Sequence, residues 1–408
     1  MHTPLALFLG AAWLGRAAAI YYPLIEYSGT TFFDGWDFYG AIDNTTWGNV
    51  TYVTAADAEA ESLAYVNEAG NAVIRVDNGS TVLPDGIQYR KSVRLTSQAT
   101  FSVGTLLVID ALHMPYGCSV WPSIWMNGVL APGEVWPAAG EIDIVEAINL
   151  MDNNQMALHS YAGCVQAPGV VQSGHSLITN CNDTTASGCT VAETKNNSFG
   201  AGFAAAGGGV FALQFDVAGI WIWFWGRASI PASITTTASA FEPGSAAGGA
   251  TMNISDWGTP SAAYPASGCN ITEFFPAQQL VVDITLCGLW AGLPEIYDAT
   301  CPGTCFLSNI AGNGSNYGAA YFEIPSIRAY ALDAGLAAEA QYNASGGAQT
   351  TGSASGAGAG ASETGSADQS GGTTAPSGAR RAGGVGGEGR AGWVAVGAGA
   401  LVVLAGVL

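Results

Sequence analysis

The sequence predicts an all-β fold, an antiparallel sandwich occupying residues 20–335. Short runs rich in Val, Ile, Thr and aromatic residues recur through this stretch, broken by Gly, Pro, Asn and Asp, without a long helical period. Strand-like segments follow one another with turn chemistry between them, so sheet must pack on sheet. Of the 408 residues 49% are hydrophobic and only 10% are charged, the balance of a chain that folds around a core.

In chain order the strand candidates are residues 72–76, 92–96, 104–110, 141–146, 210–216, 219–225, 280–286 and 320–324. No internal repeat is present, and one large sandwich accounts for the whole stretch. Residues 1–19 carry an apolar run, Leu5 to Leu14, that closes on Ala17-Ala18-Ala19, the pattern of a cleaved secretory signal. Residues 336–392 read as a linker, in which the stretch from about Ser345 to Gly392 is almost all Gly, Ala, Ser and Thr; such a stretch has nothing to bury and is expected to be a flexible stalk. Residues 393–408 form an uncharged apolar run, shorter than the roughly 20 residues of a membrane span and without a basic anchor after it. A small-residue site (Ser377-Gly378-Ala379 or Ala382-Gly383-Gly384), a polar spacer and this tail are the parts of a GPI-attachment signal; a single-pass tail anchor is the alternative. The expected location is extracellular, at the cell surface through a lipid anchor.

The net charge of −20 excludes nucleic acid as a partner, because phosphate binding needs clustered Lys and Arg. It also excludes electrostatic docking on an anionic membrane, which leaves the lipid anchor as the expected membrane contact. Without residues 1–19 and 345–408, which carry four Arg and three acids, the remainder stands at −21, so the acidity belongs to the folded part. All eight cysteines lie between Cys118 and Cys305; an even count in a secreted chain reads as disulfides, and eight cysteines allow 105 pairings. The four histidines and these cysteines show no metal-ligand spacing, and no metal or cofactor is expected. Nine N-x-S/T sequons point to N-glycosylation. Nucleophile-elbow, P-loop and zincin motifs are absent from the sequence.

The chemistry concentrates in Gly140-Glu141-Ile142-Asp143-Ile144-Val145-Glu146. In a regular strand Glu141 and Asp143 share a face, and Glu146 points to the other. A β-bulge at about Ile144-Val145 would absorb one residue and bring Glu146 back to the first face. The two Glu are then about four strand positions apart, roughly 13 Å along the backbone. With each side chain leaning inward by about 4 Å, the carboxyls approach to about 5 Å, the separation of a retaining glycosidase pair. Three acids this close cannot all ionise easily, so at least one proton affinity should rise.

These residues, together with Phe32-Phe-Asp-Gly-Trp-Asp-Phe-Tyr39, His113-Met-Pro-Tyr-Gly-Cys118, Trp121-Pro-Ser-Ile-Trp125, Asn154-Gln-Met-Ala-Leu-His159, Asp256-Trp-Gly-Thr-Pro260 and Leu286-Cys-Gly-Leu-Trp-Ala-Gly292, resemble the fungal-type laminarinases of glycoside hydrolase family 16 over most of residues 25–330. The resemblance implies a concanavalin A-like β-jelly-roll sandwich whose concave face is an open sugar-binding cleft. It implies Glu141 as nucleophile, Glu146 as general acid/base and Asp143 as the assisting carboxylate. It implies cleft positions for Trp125 and Trp136, with Trp121 a weaker candidate, and a place for His159 near the acid/base. The bulged spacing is the laminarinase form; lichenases and wall transglycosylases carry the unbulged one. Ala147 stands where relatives often have Gly. Arg94 or Arg90 is expected to reach the cleft, as an Arg does in relatives.

Trp221, Trp223 and Trp225 alternate and so share one strand face, which either paves the cleft or fills the space between sheets. Trp223 and the loop residue Trp257 are taken as sugar-stacking candidates. The expected function is a secreted endo-1,3(4)-β-glucanase, a monomer whose partner is β-glucan. A transglycosylase on the same fold and a non-catalytic glucan-binding protein are the alternatives.

Overall fold

A computed structural model of the chain describes residues 19–238, 240–242 and 250–332. The signal reading up to residue 18, the stalk and the apolar tail lie outside these residues. The strands are β1 (Ile20–Ser28), β2 (Trp36–Phe38), β3 (Val50–Tyr52), β4 (Ala64–Val66), β5 (Ala72–Arg75), β6 (Arg90–Ser92), β7 (Arg94–Phe101), β8 (Thr105–Ala111), β9 (Val120–Gly128) and β10 (Glu141–Glu146). They continue as β11 (Gln155–His159), β12 (His175–Ile178), β13 (Cys189–Ala192), β14 (Gly209–Asp216), β15 (Gly219–Gly226), β16 (Met252–Asn253), β17 (Ala262–Pro265), β18 (Gln278–Leu286), β19 (Tyr321–Ile324) and β20 (Ser326–Ala331). All eight expected runs fall in strands, the second of them interrupted at Val93 between β6 and β7. The longest described α-helix has seven residues.

Two antiparallel sheets make the sandwich. One has eight strands in the order β12-β13-β11-β10-β9-β18-β7-β2; the other has seven, β16-β1-β20-β8-β14-β15-β17. The inner faces meet in one core in which Ile142, Ile144, Val145, Met126, Ile124, Val282 and Ile284 of the first sheet share an apolar cluster with Phe211, Leu213, Phe215, Ile220, Ile222 and Phe224 of the second. Period-two alternation then sends the intervening residues outward. On the eight-stranded sheet the outward residues are acids, amides and tryptophans, and this face holds the site.

All eight cysteines pair, as Cys118–Cys301, Cys164–Cys269, Cys181–Cys189 and Cys287–Cys305. Three of these bonds close loops of 183, 105 and 18 residues and so tie distant segments, which restricts the unfolded chain. Of the sequons, Asn182 is buried and its Nδ2 donates to Thr185 Oγ1 at 2.9 Å, so a glycan there is incompatible with this fold.

Candidate active site

The centre of the site is β10, paired with β9 on one side and β11 on the other. Its register with both neighbours shifts between Asp143 and Glu146, the expected bulge. Ile144 and Val145 both turn into the core, each fully buried, and this double inward turn returns Glu146 to the face of Glu141 and Asp143. A bulge leaves ladder groups unpaired. Asn154 takes them up: its Nδ2 donates to Ile144 O at 2.9 Å and its Oδ1 accepts from Glu146 N at 3.0 Å. Sequence reasoning missed this clamp, although Asn154 opens the motif that ends at His159.

β9 is regular, so it serves as a ruler. Glu141 lies opposite Asn127, Asp143 opposite Trp125 and Glu146 opposite Ser123. The two Glu therefore span four regular positions, roughly 13 Å of strand. Each outer acid receives an indole N–H. Trp136 Nε1 donates to Glu141 Oε2 at 2.7 Å, and Trp121 Nε1 donates to Glu146 Oε1 at 2.8 Å. Trp121 is the weakest of the three sequence candidates, yet it contacts the proposed acid directly; its ring packs edge-on against Trp290, 5.5 Å between centroids.

His159 stands opposite Glu141 on β11. Its Nδ1 is 2.8 Å from Asp183 Oδ1, and its Nε2 is 3.2 Å from Asp143 Oδ2. The second contact lacks the alignment of a hydrogen bond, so it acts through charge. Two adjacent carboxylates and Glu141 raise the imidazole's proton affinity well above the ordinary value, against the cost of burial. His159 is therefore a cation at neutral pH. The ring stands across from Glu141 and beside Asp143, acts by charge on Glu146 as well, and has its Nδ1 engaged by Asp183. Glu141, Asp143 and His159 bring ligand-type atoms within 4.8 Å of one another, with the other ring nitrogen of His159 held by Asp183.

Burial raises both outer acids, and the charge of Asp143 adds to it, so that Glu141 and Glu146 each rise to about 8. The positive imidazolium lowers both and lies against Glu141 and Asp143. Both outer acids therefore hold a proton more tightly than a free carboxyl, and the imidazole's charge opposes this at each of them.

Farther across the sheet, Asp283 lies opposite Ser123 and Arg94 opposite Asp283, which puts both on the site face. Trp125 Nε1 donates to Asp283 Oδ1 at 3.2 Å. Burial raises the Asp283 carboxyl to about 6, with Arg94 opposing. Arg94 is only 5% exposed; it donates to Thr45 Oγ1 at 3.0 Å and faces the rings of Tyr39 and Trp125 at 5.0 and 5.2 Å. Arg94 thus braces Trp125 from beneath, which corrects the expectation of a substrate contact. Arg90 is fully buried among the backbone carbonyls of Asp77, Ser80, Ile310 and Gly312, away from this face. Trp136, 44% exposed, presents an open ring at the site, whereas Trp125 is a largely covered floor residue.

Trp223 and Trp257 are corrections as well. β15 turns Ile220, Ile222 and Phe224 into the core between the sheets, so Trp223 and Trp225 point out of the opposite side of the sandwich. There they pack with Trp257, 5.3 and 5.2 Å between centroids, under the helix Ala232–Ala238. Trp223 Nε1 donates to Gly258 O and Trp257 Nε1 to Ser233 Oγ. Alternation correctly gave a shared face, but the face belongs to the other sheet. Trp223→Phe is expected to cost roughly 1–2 kcal/mol in denaturant unfolding, from the lost ring packing against Trp225 and Trp257 and the lost hydrogen bond to Gly258 O. Its affinity for β-glucan should stay at the parent's value; weakened binding by a folded variant would contradict this placement.

Residues 36–330 match the XgeA-like, catalytic GH16 domain. A probable glycosidase of Schizosaccharomyces pombe is 35% identical over 312 residues, covering 75% of this chain and 68% of its own length. The endo-1,3(4)-beta-glucanase xgeA of Emericella nidulans is 32% identical over 327 residues, covering 78% of this chain and 49% of its own. The chain spans about half the length of the endo-1,3(4)-β-glucanase relatives it matches. Among solved structures, GH16 Laminarinase 16A from Phanerochaete chrysosporium, with 6-O-glucosyl-laminaritriose in donor and acceptor sites, superposes with a TM-score of 0.68 at 34% identity, over 76% of this chain and all of that one. An elongating GH family 16 beta-1,3-glucosyltransferase superposes at 0.65, also at 34% identity, over 76% of this chain and 99% of that one.

Proposed function

The chain belongs to glycoside hydrolase family 16, with a jelly-roll sandwich of the XgeA-like catalytic kind, and from that premise we propose that it is a retaining endo-1,3(4)-β-glucanase. The observation that carries the reading is the bulged strand β10, which presents Glu141, Asp143 and Glu146 on one face with His159 opposite Glu141 and beside Asp143. The reaction uses the form in which Glu141 is the anion and Glu146 carries the proton, and a positive imidazole opposite Glu141 favours that form. A Glu141 oxygen attacks the anomeric carbon while Glu146 gives its proton to the departing glycosidic oxygen. The glycosyl ester on Glu141 is then cleaved by water, whose proton Glu146 takes as the carbon–oxygen bond to water forms. Asp143 lies between them and orients the nucleophile through its charge and that of His159. Trp136 offers a stacking face on the Glu141 side.

A transglycosylase is the second reading, favoured by the likeness to the elongating glucosyltransferase. There a sugar hydroxyl replaces water in the second step. A secreted location belongs to the same proposal, supported by the four disulfides, and the lipid anchor rests on the C-terminal sequence pattern alone.

Product profiling on laminarin, lichenan and a branched β-1,3/1,6 glucan tests the proposal. Hydrolysis should release shorter chains whose new reducing ends are first β-configured by proton NMR. Chains longer than the substrate would establish the transferase reading. An absence of cleavage on all three glucans would overturn both.

A further inference from the structure

The catalytic strand is served by a residue that lies in none of the segments that carry the family resemblance. Asp183 opens the short helix Asp183–Ala186 inside the loop closed by the Cys181–Cys189 disulfide, eight residues apart in sequence. Its Oδ1 meets His159 Nδ1 at 2.8 Å, and from His159 Nε2 it is 3.2 Å to Asp143 Oδ2. This line runs from the loop into the space between the two outer acids. The side chains along it are 20%, 16% and 3% exposed, so their charges are poorly screened.

Asp183 is placed by its surroundings rather than by a surface rotamer. Asp183 N donates to Ser160 O at 3.0 Å, and Ser160 N donates to Cys181 O at 2.8 Å, fastening the loop to the end of β11. Asn182 Oδ1 accepts from Thr184 N and Thr184 Oγ1, which sets the turn. The chain returns through Gly188, whose φ of +76° favours glycine and where a Cβ would lie 2.6 Å from His159 Nδ1. The loop is thus laid flush on the imidazole.

We propose that Asp183 is a positioning residue for the glucanase reaction: it holds the His159 ring by Nδ1 and so keeps that ring's positive charge beside Asp143 and the nucleophile Glu141. The inference rests on the reading of Glu141 as nucleophile. The charged groups facing His159 are Glu141 and Asp143 from β10 and Asp183 from the disulfide loop; Trp136, 6.0 Å away between rings, is uncharged. Removing the Asp183 charge lowers the proton affinity of His159. The ring then becomes neutral at a lower pH and Glu141 loses the charge that lowers its proton affinity, a larger influence on Glu141 than the opposite one of Asp183 itself, so the nucleophile is protonated more readily.

The test is Asp183→Asn, with Asp183→Glu as the conservative partner. For Asp183→Asn the alkaline limb of kcat/KM on laminarin should move to lower pH by about 1–3 units, the size of one close charge. The loss should fall on kcat at neutral pH, with KM little changed and activity near pH 5 largely kept. Asp183→Glu should recover most of the parent profile. The His159 ring signals, followed by NMR without substrate, should titrate at lower pH in Asp183→Asn than in the parent. An equal loss at every pH, or unchanged titration of His159, overturns the inference. If the parent itself cleaves no glucan, the functional reading fails while the NMR arm still decides the role of Asp183.

Discussion

Glu141→Ala is expected to lower laminarin turnover on the order of 10^4- to 10^6-fold, the scale of losing a covalent nucleophile. The fold should survive, because Glu141 is a partly exposed outward residue whose side chain is held by one indole N–H, and removing it relieves crowding among three acids. The diagnostic part is rescue. Truncation opens space on the Glu141 side, and azide can occupy it and attack the anomeric carbon of an activated aryl β-laminaribioside. The C–N bond forms as the aryl oxygen departs, and the single displacement gives the α-glycosyl azide. A β-glycosyl azide, or hydrolysis at the parent's rate, would remove Glu141 from the nucleophile's role. Removing it also strips one like charge from around Glu146, so the proton affinity of Glu146 should fall.

Much of this site was legible because its signal is local. Glu141, Asp143 and Glu146 lie within six residues, and their spacing makes sense only if Ile144 and Val145 both turn inward, as they do. The eight apolar runs marked their strands for the same reason. What escaped depends on partners distant in sequence. β9 carries no strand signal of its own, since Pro122 lies within it. Pro122 is tolerated because β10 ends its pairing at Ser123, leaving β9 locally one-sided and needing no N–H there. Trp223 shows the limit of alternation: period two assigns residues to a common face and says nothing about which sheet that face belongs to. Asp183 lies 24 residues beyond His159, in a loop with no periodicity, and only the folded Cys181–Cys189 turn brings it to the ring. Asn154 was in plain view, but its task exists only once the bulge exists.

Glu146→Gln separates proton donation from everything else the acid does. The amide keeps the size and the Trp121 contact of the carboxyl, but it has no proton to give and cannot take one from water. Laminarin, whose leaving group is a poor sugar alkoxide, should be turned over about 10^2- to 10^4-fold more slowly. A dinitrophenyl β-laminaribioside needs no protonation to leave, so its first step should stay fast while the ester on Glu141 accumulates, seen as a burst of phenolate followed by a slow phase. The pH profile adds the sign. Glu146 must be protonated at the first step, and burial with the charge of Asp143 raises it to about 8, so the parent is active below that pH and loses activity as pH rises through it. In Glu146→Gln no proton remains to be lost there, so the fall through about 8 should vanish from the burst rate on the activated substrate, leaving only the loss that follows the His159 charge. A merely structural role would depress both substrates alike and leave the limb in place. Equal losses on the two substrates would therefore assign the proton to another group, and Asp143 is the adjacent carboxyl.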